Sequence, residues 1–331
     1  MINNQFSKPA AQMPDQNVLR CCDLGPSGRT PRLALVTNLD GNELNGMFVL
    51  TRLAAFLQSI ESGEQDGLRL RERVVIIPAM PDAHSAIATI PREKQLGVVA
   101  RRRSLDGAMA DTVAALIRAA YYRVDLHSSA PAIEEMPQVR LYAPSDDERA
   151  SACLFGLPAV IERPAIDDAA SGLVRAWRAH GGENFVIHAG QAGRLQTGHC
   201  ETLFRALAAF LDRTGTVSGL RPVDDDEDLR YFGLQQVVTV VAEQSGLLAS
   251  RLEVGRWIQA GEVLGLIYDS FTGGIQKQVL APVAGLLASL RRQPLLRRGD
   301  LVARILTPAV AVQRRPARLG ERHGRWFSRR A

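Results

Sequence analysis

Short apolar runs alternating with longer stretches of helical period constrain this chain more than any other feature. Arg32 to Thr37 (RLALVT), Arg73 to Pro78 (RVVIIP), Tyr122 to Leu126 (YRVDL), Ala159 to Arg163 (AVIER) and Asn184 to Ile187 (NFVI) each have the length of a buried strand. Between them lie segments with apolar residues at helical spacing. Glu43 to Ser62 carries Met47, Leu50, Leu53, Ala54 and Leu57, and Gly107 to Ala120 and Gly172 to His180 follow suit. Thr202 to Leu211 is a further helical stretch. Strands alternating with helices predict an α/β domain with a mostly parallel sheet flanked by helices. In such sheets ligands bind beyond the carboxyl ends of the strands. Attention therefore falls on residues 38–43, and on the segments starting at Met80, His127 and His188. The long irregular segment 79–103 is of a length that in compact domains is commonly functional.

The pattern changes near Gly215. The acidic run Asp224 to Asp228 predicts an exposed linker, and β-type runs follow at Val237–Ala242, Val263–Tyr268, Val279–Leu280 and Leu301–Ile305. An internal repeat is visible here. Ser245-Gly-Leu-Leu-Ala-Ser250 recurs as Ala284-Gly-Leu-Leu-Ala-Ser289, and each copy is followed by a Gly–acid pair, Gly261-Glu262 and Gly299-Asp300. Two copies of one β-unit predict a smaller, pseudo-symmetric all-β domain, a barrel-like sandwich that resembles the biotinyl/lipoyl hammerhead fold. Carriers of that type need a lysine at a hairpin tip. The tip falls near Gly274 and the nearest lysine is Lys277, so this domain is expected to be structural or to shield substrate. The expected organisation is a leader over 1–30, the α/β domain over 31–225, the β-domain over 226–310 and a basic tail over 311–331.

Composition narrows the function classes. No run of 18 or more apolar residues occurs, so no membrane span is expected. The segment before Cys22 is polar and lacks the apolar stretch of a secretory signal, which predicts a cytoplasmic protein. Cys21, Cys22, Cys153 and Cys200 follow neither a disulfide framework nor a zinc-finger spacing. The net charge is +5, and arginines from Arg314 to Arg330 supply much of the excess. That stretch reads as a solvated tail. Only Trp326 and Phe327 interleave with it, too few for base stacking, and no nucleic-acid partner is expected.

The segment most specific for chemistry is Leu39-Asp40-Gly41-Asn42-Glu43-Leu44-Asn45-Gly46, between the first strand and the first helix. It resembles the H-G-N-E-x-x-G signature of the succinylglutamate desuccinylase/aspartoacylase family, a zinc carboxypeptidase-like family. Gly41, Asn42, Glu43 and Gly46 match, and Asp40 stands where the family has a zinc-binding His. Val124-Asp125-Leu126-His127-Ser128 is similar to the family's D-L-H-T strand end. Ile187-His188-Ala189-Gly190-Gln191-Ala192-Gly193 is similar to its E-x-G-Q-x-G segment, with His188 in place of the catalytic Glu. The family's Asn-Arg clamp on the substrate carboxylate is absent from Gln95 to Ala100. Arg101, Arg102 and Arg103 follow closely.

The resemblance implies a carboxypeptidase-like α/β fold from about Arg32 to Ile305. It implies one divalent metal, zinc or, because of the hard ligand Asp40, manganese. Asp40, Glu43 and His127 are the expected ligands, and Asp125 is the acid that orients His127. Arg101 and Arg102 are the expected substrate contacts. His188 is expected to act as general base or to close the site as a fourth ligand. The implied activity is hydrolysis of an amide or ester bond, by analogy deacylation of an N-acylated amino acid or related small molecule. The replaced ligand, base and clamp leave a second reading open. In that reading the chain is a non-catalytic relative that binds a ligand or partners an active paralogue, and a homo- or hetero-oligomer is expected accordingly. Three further features carry no site expectation: the His199-Cys200 pair, Glu134 and Glu135 as a solvated loop face, and Ser128-Ser129, which lacks a nucleophile elbow.

Overall fold

The computed structural model describes residues 22–37, 42–78, 117–164, 174, 177–220 and 230–308. Strand β1 (Cys22–Leu24) lies within the expected leader. The chain continues through β2 (Leu33–Thr37), helix α1 (Leu44–Glu61), β3 (Arg69–Leu70) and β4 (Val74–Ile77). Next come β5 (Tyr122–Ser129), β6 (Ile133–Tyr142), α2 (Asp146–Ala152), β7 (Ala159–Arg163), β8 (Glu183–Gln191), α3 (Thr197–Arg213), β9 (Val217–Ser218) and β10 (Arg230–Phe232). All five apolar runs are strands, and Glu43–Ser62 and Thr202–Leu211 lie on α1 and α3. Residues 174 and 177–178 are helical within the expected 172–180 segment. Most of the expected 107–120 helix falls outside the described residues.

The strands β4, β2, β5 and β8 run parallel and adjacent, and helices pack on both faces of this part of the sheet. On one face, α1 and α3 bury Leu50, Leu53, Leu57, Leu203, Leu207 and Phe210 against Leu33, Leu35, Val124 and Phe185. The rings of Phe155 and Phe210 stack there at 4.1 Å. Trp177, Ile117 and Val174 pack on Ala34, Val36 and Val186 on the other face. Strand β6 then enters antiparallel to β8. The sheet is therefore mixed, with a parallel centre.

Beyond β10 lie β11 (Val237–Val241), β12 (Gly246–Ser250), β13 (Trp257–Ile258), β14 (Val263–Tyr268), β15 (Ile275–Leu280), β16 (Gly285–Arg291), β17 (Leu295–Leu296) and β18 (Leu301–Leu306). The sequence repeat is structural. β12 pairs with β14 and β17, while β16 pairs with β18 and β13, so each copy lends its short strand to the other. The leading glycines do the same work in both copies. A Cβ on Gly246 would meet Ile267 Cγ2 at 2.7 Å, and one on Gly285 would meet Ile305 Cγ2 at 2.8 Å. Glu262 accepts from the backbone N–H of Gln259 at 3.0 Å, and Asp300 accepts from that of Arg297 at 2.9 Å.

The C-terminal strands are not set apart from the α/β region by their sheets. Among the described residues these strands form two sheets around a shared core of Leu248, Leu264, Ile267, Leu287, Leu290, Val302 and Ile305. One is the separate sheet β15-β14-β12-β17. The other, β16-β18-β11, continues the sheet of the α/β region. The joint is β6. Its first residues, Ile133 to Glu135, pair with β16, and its last, Val139 to Tyr142, pair with β7. One 12-stranded sheet thus runs through both parts of the chain. Lys277 lies on β15, ion-paired to Glu243, while Phe271 occupies the preceding turn almost fully exposed. Among the described residues no helix is long and apolar enough to cross a membrane.

Candidate active site

Glu43 stands at the N-cap of α1, where a side chain ordinarily accepts from the helix's own N–H groups. Here it makes no such bond. It turns toward β5 instead, and its Oε2 accepts from the backbone N–H of Ser128. That departure from a local rule is what a functional residue shows when its side chain is used elsewhere. Gly46 makes the approach possible. A Cβ there would overlap Thr37 Oγ1 and come within 3.1 Å of Thr37 Cβ and 3.2 Å of Leu126 Cβ, so only glycine lets α1 sit this close to β2 and β5.

The second oxygen of Glu43, Oε1, lies 3.3 Å from His127 Nδ1, and His127 Nε2 lies 2.7 Å from Asp125 Oδ2. Asp125 and His127 are two residues apart on β5 and share a face, as strand alternation requires. All three side chains are buried or nearly so. Burial alone would lower the His127 pKa, but the charges and hydrogen bonds of Asp125 and Glu43 outweigh it and raise the pKa well above the ordinary histidine value.

The neighbouring strand supplies His188, paired in register with His127, and the two rings stack at 5.5 Å between centroids. Arg140 Nη1 lies 3.3 Å from His188 Nε2. Burial and then the charge of Arg140 push the His188 pKa down to about 3, so the ring is neutral at pH 7. Glu135 completes the group. It is buried, accepts from Arg140 Nη2 at 2.6 Å, and lies 3.4 Å from His188 Nδ1. That last contact is at most a weak hydrogen bond, and no partner meets His188 Nδ1 in good hydrogen-bond geometry. Burial would raise the Glu135 pKa, yet the charges of Arg140 and Arg304 and the nearby His188 hold it far below the usual carboxylate range.

The expectation of a solvated loop face at Glu134 and Glu135 is wrong. Both are buried on β6, and a bulge explains their opposed roles. Glu135 pairs with Gly190 but Gln138 pairs with His188, so β6 carries one extra residue at Met136–Pro137. Proline has no N–H to donate and fits such a position. The bulge brings Glu135 onto the face of Gln138, Arg140 and His188. Glu134 turns to the α3 side, where His199 Nε2 at 2.8 Å, Gln196 Nε2 at 2.6 Å and Arg292 hold its carboxylate. Pro137 inside an otherwise strand-like run was the one sequence signal for this arrangement.

The G-Q-x-G segment has a structural task. Gly190 adopts φ +71°, and a Cβ would run into Asn45 Nδ2 and Gln196 Oε1. Gly193 N donates to Asn42 O at 2.8 Å and Gln196 N donates to Asn45 Oδ1 at 2.7 Å, tying this turn to the first turn of α1. Asp40, Arg101 and Arg102 lie outside the described residues, as does Arg103.

Solved structures share this architecture. The product-bound ectoine utilization protein EutE (DoeB) from Ruegeria pomeroyi superposes over 84% of this chain and 86% of its own, with a TM-score of 0.64 and 21% identity. A succinylglutamate desuccinylase/aspartoacylase from Rhodobacter sphaeroides gives 84%, 86%, 0.62 and 19% on the same measures. The fold is that of the succinylglutamate desuccinylase/aspartoacylase proteins. An aspartoacylase family protein from Mesorhizobium loti covers 87% of this chain and 88% of its own at a TM-score of 0.58 and 18% identity. No family model matches the chain, and no curated protein matches it.

A divalent ion can be tested against the residues present. Tetrahedral ligands at zinc–donor distances of about 2.0–2.2 Å lie about 3.3–3.6 Å from each other. Glu43 Oε1 and His127 Nδ1 have this separation, and Asp125 on Nε2 leaves Nδ1 as the coordinating nitrogen. These two residues fit. Among the described residues no third His, Cys, Asp or Glu completes a ligand group with them.

Proposed function

We propose that the protein is a metal-dependent amide or ester hydrolase of the deacylase type, acting on an N-acylated amino acid or a related small molecule. The observation that carries this reading is the convergence of Glu43 Oε1 and His127 Nδ1 at the carboxyl end of the parallel strands, with Asp125 behind the imidazole. The fold shared with proteins named as desuccinylases and aspartoacylases supports it. Glu43 and His127 would hold the ion, with Asp40 as the third ligand. At such a position a divalent ion supplies a water whose pKa is lowered toward 7. The Ser128 N–H fixes the free oxygen of Glu43, so the carboxylate is aimed before the ion arrives. Asp125 holds the proton of His127 on Nε2. Arg101 and Arg102 are the proposed contacts to substrate.

One observation favours a second reading, a non-catalytic binding protein that partners a more complete paralogue. Nε2 of His188 faces Arg140, and the ring is neutral at pH 7 with a pKa of about 3. A general base works best with a pKa near the operating pH. In the hydrolase reading His188 has to leave Arg140 before it accepts a proton.

Elemental analysis of purified protein and of His127→Ala tests the first reading. A near-stoichiometric divalent metal, lost in the variant, is the expected result, followed by turnover of N-acyl amino acids. Metal without turnover on such a panel selects the second reading. No metal, even after incubation with excess zinc or manganese, overturns the hydrolase.

A further inference from the structure

We propose that Glu135 and Arg304 are positioning residues of the candidate site, which hold Arg140 against His188 and thereby fix the nitrogen of that imidazole that carries the proton. The tautomer follows from the donor chemistry. A guanidinium only donates. Arg140 Nη1 therefore needs a bare lone pair on His188 Nε2, 3.3 Å away, and the ring's proton is on Nδ1. The Nδ1 edge faces Glu135 Oε2 at 3.4 Å. Both ring nitrogens thus point to β6, and the face of the ring is turned to His127.

Arg140 does not hold this pose by itself. Its Nη2 donates to Glu135 Oε2 at 2.6 Å, while its Nε is buried without a partner. The other oxygen of Glu135 accepts from Arg304 Nη1 at 3.1 Å, so two guanidiniums share one buried carboxylate. Removing either leaves that buried carboxylate short of compensation.

The sheet register explains how a residue so far along the chain reaches the site. Glu135 on β6 lies opposite Ser289 on β16, and Ser289 lies opposite Arg304 on β18. Three residues form a row across three strands. Adjacent strands are about 4.8 Å apart, so Arg304 spans about 10 Å. The small side chain of Ser289 in the middle lets the guanidinium pass over it. The last β-strand of the C-terminal part is therefore a component of the site. The catalytic consequence rests on the hydrolase reading, whereas the tautomer does not.

The experiment reads imidazole 15N shifts in the full-length protein labelled at histidine, with His188→Gln to assign the resonance. The expected wild-type spectrum shows His188 protonated on Nδ1 and bare on Nε2. Arg304→Met and Glu135→Gln are expected to move the Nε2 signal toward that of a protonated nitrogen, as a mixture of tautomers. Arg304→Lys, which keeps the charge, is expected to retain the wild-type signal. Arg304 is the safer site, since its side chain is 31% exposed while that of Glu135 is 2% exposed. A wild-type His188 protonated on Nε2, or an unchanged His188 signal in folded Arg304→Met, overturns the proposal. Neither readout requires metal or turnover, so its failure is distinct from failure of the hydrolase reading.

Discussion

Gly46→Ala tests the link between the signature segment and the architecture of the site. The added methyl would overlap Thr37 Oγ1 and press on Thr37 Cβ at 3.1 Å and Leu126 Cβ at 3.2 Å. None of these atoms lies at the free end of a long side chain. Thr37 Oγ1 also donates to Leu126 O at 2.8 Å in the buried core, so it cannot rotate away without losing that bond. Overpacking of this kind costs about 1–3 kcal/mol. Loss of the hydroxyl bond adds about 0.5–1.5 kcal/mol. At roughly 2–4 °C per kcal/mol for a domain of this size class, the midpoint should fall by about 3–18 °C in a thermal melt. The strain should also lift α1 from β5 and move Glu43 away from the Ser128 N–H. The double variant Thr37→Ala/Gly46→Ala removes the overlapping oxygen, and a coupling of about 0.5–3 kcal/mol between the two changes is expected from urea denaturation. A Gly46→Ala protein that melts with the wild type, or a double variant whose effects simply add, would refute the argument that this glycine is a packing requirement.

Two further outcomes are expected. Burial alone would raise the pKa of Glu134, but hydrogen bonds from His199 and Arg292 and the charge of Arg292 bring it down from 4.5 to about 2. A depressed folded-state pKa stabilises the fold above the unfolded value and loses that contribution as pH falls toward the folded value. Wild type should therefore lose stability between about pH 4.5 and 2, and Glu134→Gln should be less stable at neutral pH and flatter over that window; parallel denaturation curves would count against it. Asp125→Asn weakens the hold on His127 Nε2 and should lower divalent-metal affinity by about 10–100-fold in competition with a chelator.

Much of the fold is legible in the sequence, for reasons that are local. The five apolar runs are strands because continuous β-type apolar segments of that length suit a sheet covered on both faces. The period of α1 is visible because one stripe of the helix must be buried. The repeat at Gly246 and Gly285 is visible because each copy meets the same steric demand, a backbone that approaches a neighbouring strand too closely for a Cβ. Asp125, His127 and Glu43 stand out through the resemblance of their two segments to the family's motifs, which are contiguous in sequence because strand alternation and the turn before α1 are short-range geometry.

The surroundings of His188 are different. Its neighbours Glu135, Arg140 and Arg304 come from positions whose relation is set only by strand order and register. The bulge at Met136–Pro137 moves Glu135 to the His188 face, and a one-residue slip would send it to the other. The sequence suggests an acid pair on a solvated loop. The tertiary structure instead buries both acids, each held by an arginine from the C-terminal part of the chain. What the sequence alone determined is therefore which segments become strands and helices and where the parallel strands end. Only the folded sheet decided what faces His188, because Arg140, 48 residues away, and Arg304, 169 residues from the Glu135 it holds, are brought in through register, which no local pattern encodes.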